Sequence, residues 1–219
     1  MVDVWRRVVQ FGFRLLYNEL AFTYDWVSEI VSLGSWRCWQ RTALLHLRVP
    51  NGGMVLELAH GTGSLQADML QKGYKTIGFD LSPHMGRIAS TKLKRAGLPA
   101  NLVRGDAAAL PFPNETYLAV ICTFPTAFIT YPEVLQEVHR VLQPNGQLII
   151  VPGAVFTGGG LAARGLEWLY RVTGQREDTP FEIADFFEGF GFAVRNVQET
   201  CPHSRVTLIL AHKKGTGIH

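Results

Sequence analysis

From Met54 onward, short apolar runs alternate with longer stretches whose apolar positions recur every three or four residues. The run "MVLELA" breaks into a small glycine loop, "HGTG". The chain resumes as "SLQADMLQKG", where Leu65, Met69 and Leu70 share one helical face and Gly73 supplies a stop. "YKTIGFD" predicts a second strand. In "LSPHMGRIASTKLKRAG", Ser82 reads as an N-cap, Pro83 as the first helical residue and Gly97 as the terminator. "ANLVRGD" is a third strand, followed by the Pro-bounded loop "ALPFPNET". The most apolar stretch, "YLAVICTF", predicts a buried central strand. "PEVLQEVHRVL" then places Val134, Leu135, Val138, Val141 and Leu142 at helical spacing, "QPNG" turns the chain, and "QLIIVP" is a fifth strand. Such alternation implies a parallel sheet covered on both faces, with right-handed crossovers.

The tail breaks the rhythm. "TPFEIADFFEGFG" has Thr179 and Glu182 in capping-box spacing and ends at Gly191. Two strand-like runs follow, "FAVRNVQE" and "RVTLILAHK", joined only by "TCPHS". That link is too short for a crossover helix, so the two are antiparallel neighbours. The predicted fold class is therefore α/β: a Rossmann-like, doubly wound sheet of seven strands, mostly parallel, with an antiparallel C-terminal hairpin. Residues 1–48 form a helical N-terminal cap within the same domain. Residues 49–214 form the sheet domain, with 153–178 as an insertion after strand five.

Composition narrows the class. At 219 residues, 47% apolar and 18% charged, the chain suits one well-cored domain and is not disordered. A net charge of +3 gives no case for a nucleic-acid partner. Cys38, Cys122 and Cys201 are odd in number, far apart and without a CxxC pair, so they read as reduced thiols in a cytoplasmic protein. The seven histidines show no ligand spacing, which argues against a metal. No window reaches transmembrane length.

In open parallel sheets, ligands lie beyond the carboxyl ends of the strands. Gly61 and Gly63 let backbone N–H groups approach a ligand there, and a helix starting near Ser64 aims its positive end at the same place. Asp80, ending the second strand, is placed to accept from both hydroxyls of a ribose. Asp106, at the end of the third, can reach an exocyclic amine, with Ala107 leaving room beside a flat base and Leu81 and Met85 as apolar walls. Taken singly, a glycine loop is often just a turn, and a terminal Asp is often a cap. In this order they describe an adenosine-containing ligand.

The stretches "LELAHGTG", "GFDLSPHM", "RGDAAALPFPNETYLAVICTF" and "VLQPNGQLIIV" resemble the successive motifs of class I S-adenosylmethionine-dependent methyltransferases, across about residues 50–151. The small-molecule branch that includes ubiquinone/menaquinone-biosynthesis enzymes is the most similar, and "YNELAFTYDWVSEIVSLGSWRCWQR" weakly resembles that branch's N-terminal segment. Two features depart: in the loop Ala59 stands for the family's first glycine and His60 for a frequent cysteine, and Pro144-Asn145-Gly146 stands for the family's Pro-Gly-Gly turn. The resemblance implies S-adenosylmethionine as cofactor, a Rossmann-like sheet and specific roles. Glu57 anchors the loop and faces the ligand's amino group. Ala59, His60, Gly61, Thr62 and Gly63 form the loop around the methionine part. Asp80 takes the ribose, Asp106 and Ala107 the adenine, and Thr123 borders the sulfonium.

The implied function is methyl transfer to a small, largely apolar acceptor; the alternative is a non-catalytic binding or sensor protein of the same fold. A nicotinamide dehydrogenase would want a third glycine where Gln66 stands. Methyl transfer demands alignment more than acid–base chemistry, so His60 and His139 are only weak candidates for a base; a lone histidine is more often structural. Phe124, Phe128 and Tyr131, in "TFPTAFITYP", are candidates to line the acceptor pocket or to pack beneath the loop. That stretch lacks the Asn-Pro-Pro-Tyr signature of amino-group methylation on bases or glutamine. The N-terminal aromatics, Tyr17 and Tyr24 among them, suggest a lid over the cofactor. Plain packing ranks second, and peripheral membrane contact through Val4, Trp5, Val8 and Phe11 third. No feature sets an oligomeric state.

Overall fold

The computed structural model describes residues 24–50, 52–157 and 185–215. Five helices and seven strands are named here in chain order: α1 (Tyr24–Val31), α2 (Trp36–Leu45), β1 (Met54–Leu58), α3 (Ser64–Gln71), β2 (Lys75–Asp80), α4 (Pro83–Arg95), β3 (Leu102–Arg104), β4 (Tyr117–Thr123), α5 (Pro132–Val141), β5 (Leu142–Phe156), β6 (Phe192–Cys201) and β7 (Ser204–Lys213). One sheet runs in the order β3-β2-β1-β4-β5-β7-β6. The first five strands pair in parallel, and β7 enters antiparallel between β5 and β6. The order in which strands are added reverses after β3, with β4 joining on the other side of β1, which puts the β1 loop at the switch point where ligands sit in such sheets.

Local chemistry places the helix ends. The Ser82 hydroxyl accepts from Met85 N at 3.3 Å, with Pro83 at the first helical position of α4. Gly73 and Gly97 end α3 and α4 at φ +85° and +68°, a conformation that costs glycine nothing. Asn145, at φ +61°, does the same work in "QPNG". The pairing jumps from Tyr117↔Leu142 to Ala119↔Gln147, so that segment bulges out of β5 and the ladder resumes beyond it. β5 then runs past Pro152 to Phe156, longer than the pattern suggested.

Alternation along β1 and β4 divides the core. Leu56, Leu58, Val120 and Cys122 face one layer with Val134, Leu135 and Val138 of α5 and Phe187. Val55, Ala119 and Ile121 face the other, with Leu65 and Met69 of α3 and Trp39 and Ala43 of α2. Thus α2 is a packing helix on the sheet. Arg37 and Arg41, one turn apart on it, both pair with Asp68 of α3: Arg37 Nη2 donates to both carboxylate oxygens at 2.8 Å, and Arg41 donates through Nε and Nη2 at 2.9 and 3.0 Å.

The cysteine expectation is overturned. Cys38 and Cys201 form a disulfide across 163 residues, with Cα atoms 6.0 Å apart; Cys122 is free and buried in the sheet. Sequence distance hides the pair, because only the folded sheet brings α2 beside the β6–β7 turn. The same junction holds Trp39 Nε1 donating to Ser204 Oγ at 2.7 Å and Ser35 Oγ donating to the Pro202 carbonyl at 3.0 Å. Tyr17, the proposed membrane-facing residues 4–11, the Thr179–Glu182 capping box and all but the start of the 153–178 insertion lie outside the described residues. Among the described residues, no helix is long and apolar enough to cross a membrane.

Candidate functional site

The loop between β1 and α3 is held in an unusual backbone shape. Ala59, Gly61 and Gly63 have φ of +53°, +54° and +75°. For alanine this region costs about 1–2 kcal/mol, so Ala59 is a point of stored strain. Gly63 is needed for a second reason: a Cβ there would lie 2.8 Å from the Ala89 Cβ on α4. The loop is tied to β2, since Ala59 N donates to the Phe79 carbonyl at 2.8 Å. Asp80 Oδ2 accepts from Gly61 N at 2.9 Å and its Oδ1 from Ser82 N at 2.8 Å, so one carboxylate joins the first two loops.

Glu57 comes up from β1 into the buried side of this loop, at 1% exposure. Its Oε2 has no hydrogen-bond partner. Gln66 lies close enough to lower its pKa somewhat, yet the Gln66 Nε2 is unpaired too, its Oε1 being taken by the Thr76 hydroxyl at 2.6 Å. Burial dominates and, with Asp80 and Asp68 adding repulsion, pushes the Glu57 carboxyl up to about 8. A buried carboxyl with an unpartnered oxygen beside a left-handed loop is a place where a cationic donor would be held strongly.

Residues 55–146 match the profile of a methyltransferase domain family. The chain is 34% identical over 164 residues to a demethylmenaquinone methyltransferase of Thermus thermophilus, spanning 74% of this chain and 72% of that one. It is 30% identical over 170 residues to the ubiquinone/menaquinone biosynthesis C-methyltransferase UbiE of Photorhabdus laumondii, spanning 69% and 67%. The chain belongs to the class I S-adenosylmethionine-dependent methyltransferases. The fold agrees: a geranyl diphosphate C-methyltransferase from Streptomyces coelicolor, solved with S-adenosyl-L-homocysteine, superimposes with a TM-score of 0.62 at 11% identity, covering 80% of this chain and 78% of that one. S-adenosylmethionine is thus the cofactor. When bound, it supplies a methyl group already activated by a sulfonium.

In this methyltransferase the remaining candidates separate. Asp80, Leu81, Asp106, Ala107 and Thr123 all lie at the carboxyl ends of strands beside the loop. Asp106 is exposed and caps its own turn, accepting from Ala108 N at 3.0 Å through Oδ1. Leu81 is 64% exposed and available as a wall, whereas Met85 is buried at 1% and packs inward. His60 is buried; its Nδ1 sits 2.8 Å from the Gly61 carbonyl, so that nitrogen carries the proton. Desolvation lowers its pKa, partly opposed by Asp80, and its ring packs where a Gly78 Cβ would stand. His60 therefore shapes the loop as a neutral ring.

His139 is not at the site. It lies in the last turn of α5, which descends to the amino ends of the strands, and its ring meets Phe192 edge-on at 5.4 Å. Burial and nearby Lys213 lower its pKa. Phe124 stacks on Trp36 at 4.0 Å and so belongs to the packing beneath the loop. Phe128 packs partly buried on the core, and Tyr131 is 52% exposed.

Pattern reading missed a polar cluster on the loop itself. The Thr62 hydroxyl donates to Asp25 Oδ1 of α1 at 2.5 Å instead of facing outward. Lys92 Nζ donates to Asp25 Oδ2 at 2.6 Å, Ser64 Oγ at 2.7 Å and Thr62 Oγ at 3.1 Å. These four residues come from three separate segments, and no spacing rule links them.

Proposed function

We propose that the methyltransferase transfers its methyl group to a ring carbon of a small, flat, apolar acceptor of the quinone type. The relatives named above act, by their names, on demethylmenaquinone or in quinone biosynthesis. Exposed apolar side chains around the carboxyl ends of the strands support such an acceptor: Trp26 on α1, Leu81 and Tyr131 are 74, 64 and 52% exposed. In this reading Glu57 takes the cofactor's amino group, the 59–63 loop and the start of α3 its methionine part, Asp80 the ribose, and Asp106 with Ala107 the adenine, while Thr123 borders the sulfonium. The observation that carries the cofactor placement is the buried, unpaired Glu57 oxygen beside the left-handed loop. Residues 1–48 act as a cap on the 49–214 domain, with α2 as its packed base and α1 as the part nearest the cofactor. The cytoplasm is the proposed location, since S-adenosylmethionine is made there. Cys201 is 4% exposed, which would shelter the disulfide from reductants.

Calorimetry with S-adenosylhomocysteine and its 2′-deoxyribose analogue, on wild type and Asp80→Ala, tests the ribose assignment. Asp80 also holds Gly61 N, so the double-mutant cycle isolates the hydroxyl contact. A coupling of about 1–3 kcal/mol is expected. Zero coupling removes the assignment. Methyl transfer to a reduced demethylated naphthoquinone, read by mass spectrometry, tests the acceptor class; binding of the acceptor without methylation would overturn it.

A further inference from the structure

We infer that Asp25 and Lys92 are positioning residues that couple the docking of α1 to the binding of cofactor; this rests on the 59–63 loop being the cofactor site. The loop carries three left-handed residues in five and needs outside contacts to keep that shape. Its own hydroxyls, Thr62 and Ser64, are 5 and 8% exposed and flank Gly63. Both are bonded to the Lys92 ammonium, and Thr62 also to Asp25. Lys92 brings a positive charge close to the positive end of α3, and the Asp25 carboxylate 2.6 Å away neutralises it. Remove Asp25, and the loop is left with an unbalanced cation and a hydroxyl without its acceptor.

The coupling has a second side. α1 leaves Trp26 and Ile30, four residues apart, 74 and 54% exposed, so little apolar burial on that face holds it. The Asp25 pairs to Thr62 and Lys92 are polar tethers at its first turn. If docked α1 favours the binding-competent loop, bound cofactor must favour docked α1 by the same factor. The part of the chain nearest the proposed acceptor side would then be held down more firmly when the cofactor is bound.

The test combines calorimetry of S-adenosylhomocysteine with hydrogen–deuterium exchange over residues 24–33, in wild type, Asp25→Ala, Asp25→Asn, Lys92→Met and Arg41→Ala. Wild type should bind and gain protection in α1. Asp25→Ala should bind roughly five- to thirtyfold more weakly, the loss expected for a partly buried charged hydrogen bond, and lose that gain. Lys92→Met should follow it, and Asp25→Asn, which can still accept from Thr62, should fall between. Arg41→Ala, which weakens the α2–α3 contact, should lower thermal stability and leave affinity unchanged. The inference is overturned if Asp25→Ala melts earlier but binds as wild type does, or if ligand leaves α1 exchange unaltered in wild type. Failure of wild type to bind at all would overturn the cofactor-site reading instead.

Discussion

If Glu57 takes the cofactor's amino group, as proposed above, cofactor binding is a proton-release reaction. With its carboxyl at about 8, roughly nine-tenths of the free protein holds a proton on Glu57 at pH 7. A ligand ammonium placed against it favours the carboxylate, so binding expels that proton. Ionising the group first costs about 1.4 kcal/mol at pH 7 and about twice that at pH 6, at 1.36 kcal/mol per unit. Affinity for S-adenosylhomocysteine should therefore rise close to tenfold between pH 6 and 7, about fivefold more between pH 7 and 8, and level off above pH 8. Calorimetry in buffers of different ionisation enthalpy should count about 0.9 proton released at pH 7. Glu57→Gln mimics the protonated state: it should match wild type at pH 6 within a fewfold, show no pH slope and release no proton. A flat wild-type profile with no proton release would refute the assignment. The same shift predicts that the ligand-free protein loses stability as pH rises. Between the ordinary carboxylate range and 8 the folded state holds the extra proton, so the unfolding free energy falls by up to about 1.4 kcal/mol per unit there, and the stabilisation is gone above 8.

Two further outcomes follow from the backbone and the cross-link. Ala59→Gly removes left-handed strain and should raise thermal stability by about 0.5–1 kcal/mol with cofactor affinity equal or slightly tighter; a marked loss of affinity would show that the methyl group packs on the ligand. Cys38→Ser with Cys201→Ser should lower stability by about 3–5 kcal/mol, because a loop of 163 residues is released in the unfolded chain. Alkylation of rapidly quenched cell extract should find only Cys122 as a free thiol once the protein is unfolded; three free thiols would mean the bridge is absent in the cell.

Much of the sheet could be read from the chain because its signals are local. Ser82, Pro83 and Gly97 bracket α4 as expected, and the five-residue "TCPHS" link forces the antiparallel ending. Asp80 was legible as a strand-end acid, but its bond to Gly61 N was not, since that contact depends on a loop shape no spacing records. Phe124 looks like a pocket residue by position. Its own left-handed backbone, at φ +53°, goes with a ring stacked on Trp36, a partner 88 residues away in sequence. The Cys38–Cys201 bridge and the Asp25 cluster share that difficulty: each joins segments that only the finished sheet makes neighbours.

That bridge also orders events during synthesis. At about 5–20 residues per second, Cys201 is made about 10–30 s after Cys38, so α2 must wait for its covalent partner until most of the chain exists. Asp68 follows Arg37 and Arg41 by only 31 and 27 residues. The ionic clamp can thus seat α2 against α3 early, and oxidation seals an arrangement that translation has already rehearsed.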